Sequence, residues 1–104
     1  MREISTISNV NELLSGSENF KVLKIREIIN LFPSRKFLLI GDSGEKDPEV
    51  YSQILSNFPE NIVGIWIRDV TGETKDNQRY KELFPGESTK LLRIFKNITE
   101  LPNL

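Results

Sequence analysis

The sequence predicts an α/β domain: a short, mainly parallel sheet of three or four strands with helices on both faces, a three-layer arrangement. Three observations predict it. Phe-Pro pairs stand at Phe32-Pro33, Phe58-Pro59 and Phe84-Pro85, with successive prolines 26 residues apart. A segment with helical spacing precedes each pair, and an apolar run follows each. The first two runs are apolar at successive positions, as parallel strands buried on both faces are. Proline cannot continue a helix and turns the residue before it away from helical geometry, so each pair reads as helix, stop, strand. Parallel strands joined in this way take right-handed crossovers.

The elements follow in order. A short strand is expected near Glu3 to Ile7 and a turn of helix near Val10 to Leu14. The first full helix is predicted from about 18 to 31, with Ser15 and Glu18 as a capping box. Its inward face is read as Phe20, Leu23, Ile28 and Leu31, widened by Val22, Ile25 and Ile29. The strand from Lys36 to Ile40 comes next. The second helix opens at Asp47-Pro48-Glu49: an N-cap acid, a proline at the first helical position, and a carboxylate in the positive first turn. Val50, Tyr51, Ile54, Leu55 and Phe58 form its inner face. A second apolar strand, Ile62 to Ile67, includes Gly64, which allows a neighbour to approach closely. Polar loop residues occupy 71 to 78, then a helix from about Asp76 to Phe84 and a strand from about Lys90 to Phe95. Asn97 and Glu100 predict a capped final turn.

Composition limits the function classes. The 104 residues suit one domain. Net charge is −1 with 28% charged residues, so no basic excess points to nucleic acid. The absence of cysteine removes disulfides and thiolate metal sites. The absence of histidine removes histidine-based triads and imidazole zinc sites. Acid–base work therefore falls to carboxylates, lysine or tyrosine. No apolar run approaches the roughly 20 residues of a transmembrane helix, and Met1-Arg2-Glu3-Ile4-Ser5 lacks a signal-peptide core. A soluble, cytoplasmic chain is the expectation.

The segment with most chemical content is Gly41-Asp42-Ser43-Gly44-Glu45-Lys46-Asp47-Pro48-Glu49, directly after Phe37-Leu38-Leu39-Ile40. Ligands of parallel α/β sheets gather at the carboxyl ends of strands. Two carboxylates there, Asp42 and Asp47, suit a hard cation held against a phosphate. Each also has a plainer reading: Asp47 as a helix cap alone, Asp42 as an acceptor for loop amides. Ser43 and Gly44 offer backbone amides to a phosphate, or simply make a tight turn.

The run from Phe37 through Tyr51 closely resembles a signature of the phosphatidate phosphatase family of actin-patch proteins, a branch of the haloacid dehalogenase superfamily. The likeness continues through Ile65-Trp66-Ile67-Arg68-Asp69-Val70 and reaches back through Phe20-Lys21 and Phe32-Pro33. The resemblance implies a doubly wound sheet and magnesium-dependent hydrolysis of phosphate monoesters, with phosphatidate as substrate. It assigns Asp42 and Asp47 to Mg²⁺ and Lys21 to the phosphoryl oxygens, with Lys24 as the fallback. The superfamily's nucleophile motif, Asp-x-Asp-Thr, is absent from these residues, as is its Ala-Ser-Pro-associated second motif. The chain thus resembles the carboxyl-terminal half of such a domain.

Two expectations follow. As an enzyme half, the chain holds metal and phosphate, is inactive by itself, and requires a complementing nucleophile half. As a non-catalytic module, it pairs with a partner or a second copy through the edge of the Lys36–Ile40 strand, which would lie open where the nucleophile strand is missing. Arg68 and Asp69 are read either as a pair or as contributors to the same crevice.

Overall fold

The computed structural model describes residues 4–8 and 18–102. In chain order the elements are β1 (Ile4–Ser8), α1 (Glu18–Leu31), β2 (Lys36–Asp42), α2 (Asp47–Asn57), β3 (Ile62–Arg68), α3 (Gln78–Leu83) and β4 (Leu92–Phe95). Short 3₁₀ turns cover Gly86–Leu91 and Ile98–Glu100. The four strands are all parallel and lie side by side in the order β1-β2-β3-β4. The α/β class and the small parallel sheet are as the sequence predicts. The expected turn near Val10 to Leu14 and the Ser15–Glu18 box lie outside the described residues.

Strand order equals chain order, so every crossover steps the same way. With right-handed connections this puts successive helices on one side of the sheet. The core agrees: Val22, Ile25 and Ile29 of α1 and Val50, Tyr51 and Ile54 of α2 pack with Phe37, Leu39, Ile65, Ile67 and Leu92. Tyr80 of α3 and Phe84 complete that cluster. Among the described residues the helices thus pack on one face, and the second helical layer is not seen.

Three local expectations are corrected. The buried face of α1 is Val22, Ile25 and Ile29, while Phe20, Leu23 and Leu31 are exposed. Apolar residues surround much of this helix, so periodicity alone left the direction open, and the β-branched stripe meets the sheet. Lys21 falls beside that stripe, which is why it is buried. Asp47 is not the N-cap of α2. Lys46 holds that position without a side-chain cap, and Asp47 begins the helix. Lastly, β2 is not an edge. β1 pairs along it from Ile4↔Lys36 to Ser8↔Ile40, so the backbone groups expected to recruit a partner are already used.

Between Phe37 and Leu38 the pairing of β2 with β3 shifts by one residue, which leaves Val63 as the extra position. Gly64 follows it. A Cβ there would stand 2.8 Å from Leu38 Cδ1, so the close approach expected at this glycine is real. The capped final turn is also present: Asn97 and Glu100 form a reciprocal capping box.

Truncation tests this core. Leu39 is fully buried at the centre of the sheet, whereas Leu31 is 67% exposed. Leu39→Ala should cost about 2–5 kcal/mol and Leu31→Ala within about 0.5 kcal/mol, read from urea unfolding of both variants.

Candidate active site

The site begins where β2 ends. Asp42 is the last residue of the strand and Asp47 the first of α2, so the loop between them carries one carboxylate at each margin. The Asp47 side chain turns back towards the strand. Its Oδ2 accepts the backbone amide of Asp42 at 3.0 Å. Its Oδ1 lies 3.7 Å from Lys21 Nζ of α1, with both side chains only 9% exposed. This inward turn explains the missing cap, because the carboxylate satisfies strand and lysine instead of its own helix. Gly41 makes the turn possible. A Cβ there would sit 2.7 Å from Cβ and Cγ of Asp47, a distance that real Cβ contacts do not reach.

Asp42 faces the loop. Its Oδ1 accepts the amide of Glu45 at 3.1 Å. The two aspartates are close enough to repel one another. Burial pushes the Asp47 carboxyl above its ordinary value. The Asp42 amide and Lys21 oppose this, while Asp42 and Glu45 add to it. Tyr51 donates its hydroxyl to the carbonyl of Ile40 at 2.8 Å and fixes α2 against the strand end. Burial, then Asp47 and Asp42, push that phenol far above its usual range.

Lys21 and the backbone amide of Asp42 thus meet at the Asp47 carboxylate, while the Asp42 side chain bonds the loop. Lys24, the fallback, is exposed and paired with Glu27. Ser43 is bonded through both its amide and its hydroxyl. Its amide donates to the carbonyl of Arg68 at 2.9 Å. Its hydroxyl accepts the amide of Val70 at 2.9 Å and bonds Thr71 Oγ1, also at 2.9 Å. Both groups tie the loop to the end of β3. Gly44 lies where a Cβ would come within 2.9 Å of Val70 Cγ2, so the loop is packed as well as bonded. Arg68 and Asp69 do not pair with each other. Asp69 Oδ1 accepts the amides of Thr71, Gly72 and Glu73. Desolvation raises this carboxyl, but the three amides outweigh it and hold it below the usual carboxylate range.

A residue that sequence reasoning missed organises the loop. Arg79 of α3 uses all five of its donors. Nε and one terminal nitrogen grip both oxygens of Glu49 at 2.7 Å. The other terminal nitrogen reaches Glu73 at 2.7 Å and the Ser43 carbonyl at 2.9 Å, and the first also reaches the Glu45 carbonyl at 3.0 Å. The Glu49 grip holds the guanidinium in its charged form, and burial does not overcome it. The same contacts keep Glu49 below its ordinary value despite burial. Beside this network the Tyr80 hydroxyl is buried, and burial pushes it up to about 12, with Arg79 and the Ser43 side chain opposing the shift. Glu49 was legible only as a helix-opening acid, and nothing near Arg79 in sequence announces a partner 30 or 36 residues away.

Among the described residues no three acids converge on one point. What is present is a pair of hard oxygen donors, which suits Mg²⁺ better than a softer metal. Mg²⁺ takes one or two protein carboxylates and fills its remaining positions with water and phosphate. The donor set fits that small protein share. No helix among the described residues is long and apolar enough to cross a membrane.

Residues 1–69 match the family model described as "Phosphatidate phosphatase APP1, catalytic domain". The chain belongs to this family. The Phosphatidate phosphatase APP1 of Saccharomyces cerevisiae is 34% identical over 89 residues, covering 86% of this chain and 14% of that protein. An uncharacterized protein of Schizosaccharomyces pombe, C29B5.04c, is 51% identical over 39 residues, 38% of this chain and 6% of that protein. The chain therefore spans a small part of the curated relatives it matches. No solved structure matches it. Arg79 lies beyond the residues matched to the Phosphatidate phosphatase APP1 family model, yet it shapes the loop within them.

Two outcomes test this site. Arg79→Lys keeps a charge but loses the two-pronged grip, so it should cost about 2 kcal/mol and speed amide exchange at Glu45. The second test uses pH. A raised native value for Asp47 favours the fold below its unfolded value of 3.8, and that contribution is lost as pH rises through the native value. Glu49, held low, acts in the opposite sense. Melting wild type and Asp47→Asn side by side isolates the first effect. The difference in melting temperature should move in favour of the variant as pH rises from the unfolded value towards neutrality.

Proposed function

We infer that this chain is the metal- and phosphate-holding part of a phosphatidate-phosphatase-like domain, acting on phosphate monoesters with phosphatidate as the substrate suggested by family. The observation that carries this reading is the meeting of Lys21, Asp42 and Asp47 at the carboxyl end of β2. Family membership supports the class of reaction. Three elements of the chain converge on one buried carboxylate, an arrangement that costs desolvation and that a cap alone does not require.

In this reading Asp42 and Asp47 hold Mg²⁺, and the ion, when bound, neutralises phosphate charge. Lys21 is placed by α1 to steady the phosphoryl oxygens and in the meantime balances Asp47. The Asp42 amide keeps the Asp47 carboxylate oriented. Ser43 braces the loop from below, which leaves Gly44 as the small residue next to the phosphate. A buried acid with a raised value and a lysine beside it is the kind of group found at working sites. These residues include no Asp-x-Asp nucleophile, and a phosphoryl transfer of this type needs one. Turnover is therefore assigned to a complex with a segment that supplies the attacking carboxylate, and the chain by itself binds without hydrolysing.

Magnesium titration followed by amide NMR tests the assignment. Resonances of Asp42, Gly44 and Asp47 should shift together and saturate in the millimolar range, and Asp42→Asn should weaken the response about tenfold or more. A titration in which these signals stay still while others move would remove the metal assignment. Phosphate release should appear only on mixing with a nucleophile-bearing segment, and should require Mg²⁺.

A further inference from the structure

The loop between Asp42 and Asp47 carries more oxygen than its two aspartates. Backbone carbonyls run through it from Ser43 to Lys46, and Glu49 follows in the first turn of α2. The structure fixes what most of these oxygens face. The Lys46 carbonyl accepts the Val50 amide at 2.9 Å as α2 begins. The Ser43 and Glu45 carbonyls accept from Arg79 at 2.9 and 3.0 Å. Both oxygens of Glu49, and one of Glu73, accept from the same guanidinium at 2.7 Å. One side chain therefore engages two loop carbonyls and two neighbouring carboxylates. That side chain is only 19% exposed, and the residue after it, Tyr80, is anchored in the core.

This matters because the two common hard cations take different numbers of protein oxygens. Ca²⁺ gathers about six to eight oxygens in flexible geometry, backbone carbonyls among them. Mg²⁺ keeps much of its water and takes one or two carboxylates. A loop free to turn its carbonyls towards an ion suits Ca²⁺. A loop whose carbonyls are held elsewhere leaves only the carboxylates, which is the share that Mg²⁺ accepts.

We propose that Arg79 is a specificity-determining residue for the cation: by holding the carbonyls of Ser43 and Glu45 and the carboxylates of Glu49 and Glu73, it withholds from the loop the fuller oxygen set that Ca²⁺ requires. The inference rests on the reading of Asp42 and Asp47 as the metal-holding pair. Arg79 acts through the loop and is a positioning residue, since its bonds go to carbonyls and glutamates and not to either aspartate. Two simpler effects are separable from this one. Removing a positive charge favours both divalent ions alike, and loosening the loop weakens both alike. Release of the held oxygens changes the ratio of the two affinities. Lysine keeps the charge, but a single ammonium cannot span the Glu49 fork and both carbonyls.

The whole chain, labelled with ¹⁵N, is titrated with magnesium chloride and, in a separate series, with calcium chloride. The amides of Asp42, Gly44 and Asp47 report binding, well below the melting temperature of each variant. Wild type should bind the two ions within about threefold of one another. Arg79→Lys and Arg79→Ala should each move the ratio of affinities about tenfold towards Ca²⁺. If Arg79→Ala does not fold, the wild-type ratio and the Arg79→Lys series decide. Three results overturn the inference and leave the aspartates as metal holders: a wild type that favours Ca²⁺ tenfold or more, an unchanged ratio in the variants, or a shift in Arg79→Ala that is absent from Arg79→Lys, which would make it an effect of charge. A wild type in which these amides respond to neither ion removes the metal reading itself, and this inference with it.

Discussion

The Asp47 carboxylate is the constraint on which the candidate site depends. One oxygen takes the last amide of β2, and the other faces a lysine from the preceding helix. Strand, helix and crossover helix are thereby fixed to one another at the sheet's carboxyl end. Such a buried pair is a poor source of net stability, because desolvation offsets most of the attraction. Its effect is geometric: it sets where α1 and α2 stand relative to the strand, and it leaves Asp42 turned towards the loop.

A second layer of contacts holds that loop from the far side. The guanidinium of Arg79 joins α2, α3 and the stretch after β3, and it touches the loop only through carbonyl oxygens. Ser43 serves the same end by joining the turn to Val70 and Thr71. The loop is thus shaped by neighbours that need never touch a substrate, while its two aspartates remain at its margins.

Much of this fold was legible in the chain. Proline punctuation and doubly apolar runs carried the strands and helices, because backbone restriction and burial on both faces are written locally. The motif singled out Lys21, Asp42 and Asp47, and Lys21 and the Asp42 amide both contact the Asp47 carboxylate. What stayed hidden depends on direction or distance. The sequence of α1 has apolar residues on several sides, and only the sheet's position decides that Ile25 points in while Leu23 points out. The cap reading of Asp47 failed because Asp42 and Lys21 compete for its oxygens. The free edge assigned to β2 was lost to β1, a pairing between segments separated by a whole helix. Arg79 was silent because its partners are distant in sequence and its helix is six residues long.

The separation of 36 positions from Ser43 to Arg79 has a consequence for how the protein takes shape during synthesis. Strand order equal to chain order lets β2, α2 and β3 assemble as they leave the ribosome. The turn carrying the two aspartates nevertheless lacks its guanidinium until α3 has been translated. At roughly 5–20 residues per second, that wait lasts about two to seven seconds. During that interval the nascent chain has a nearly complete sheet and an unfinished turn between its two aspartates.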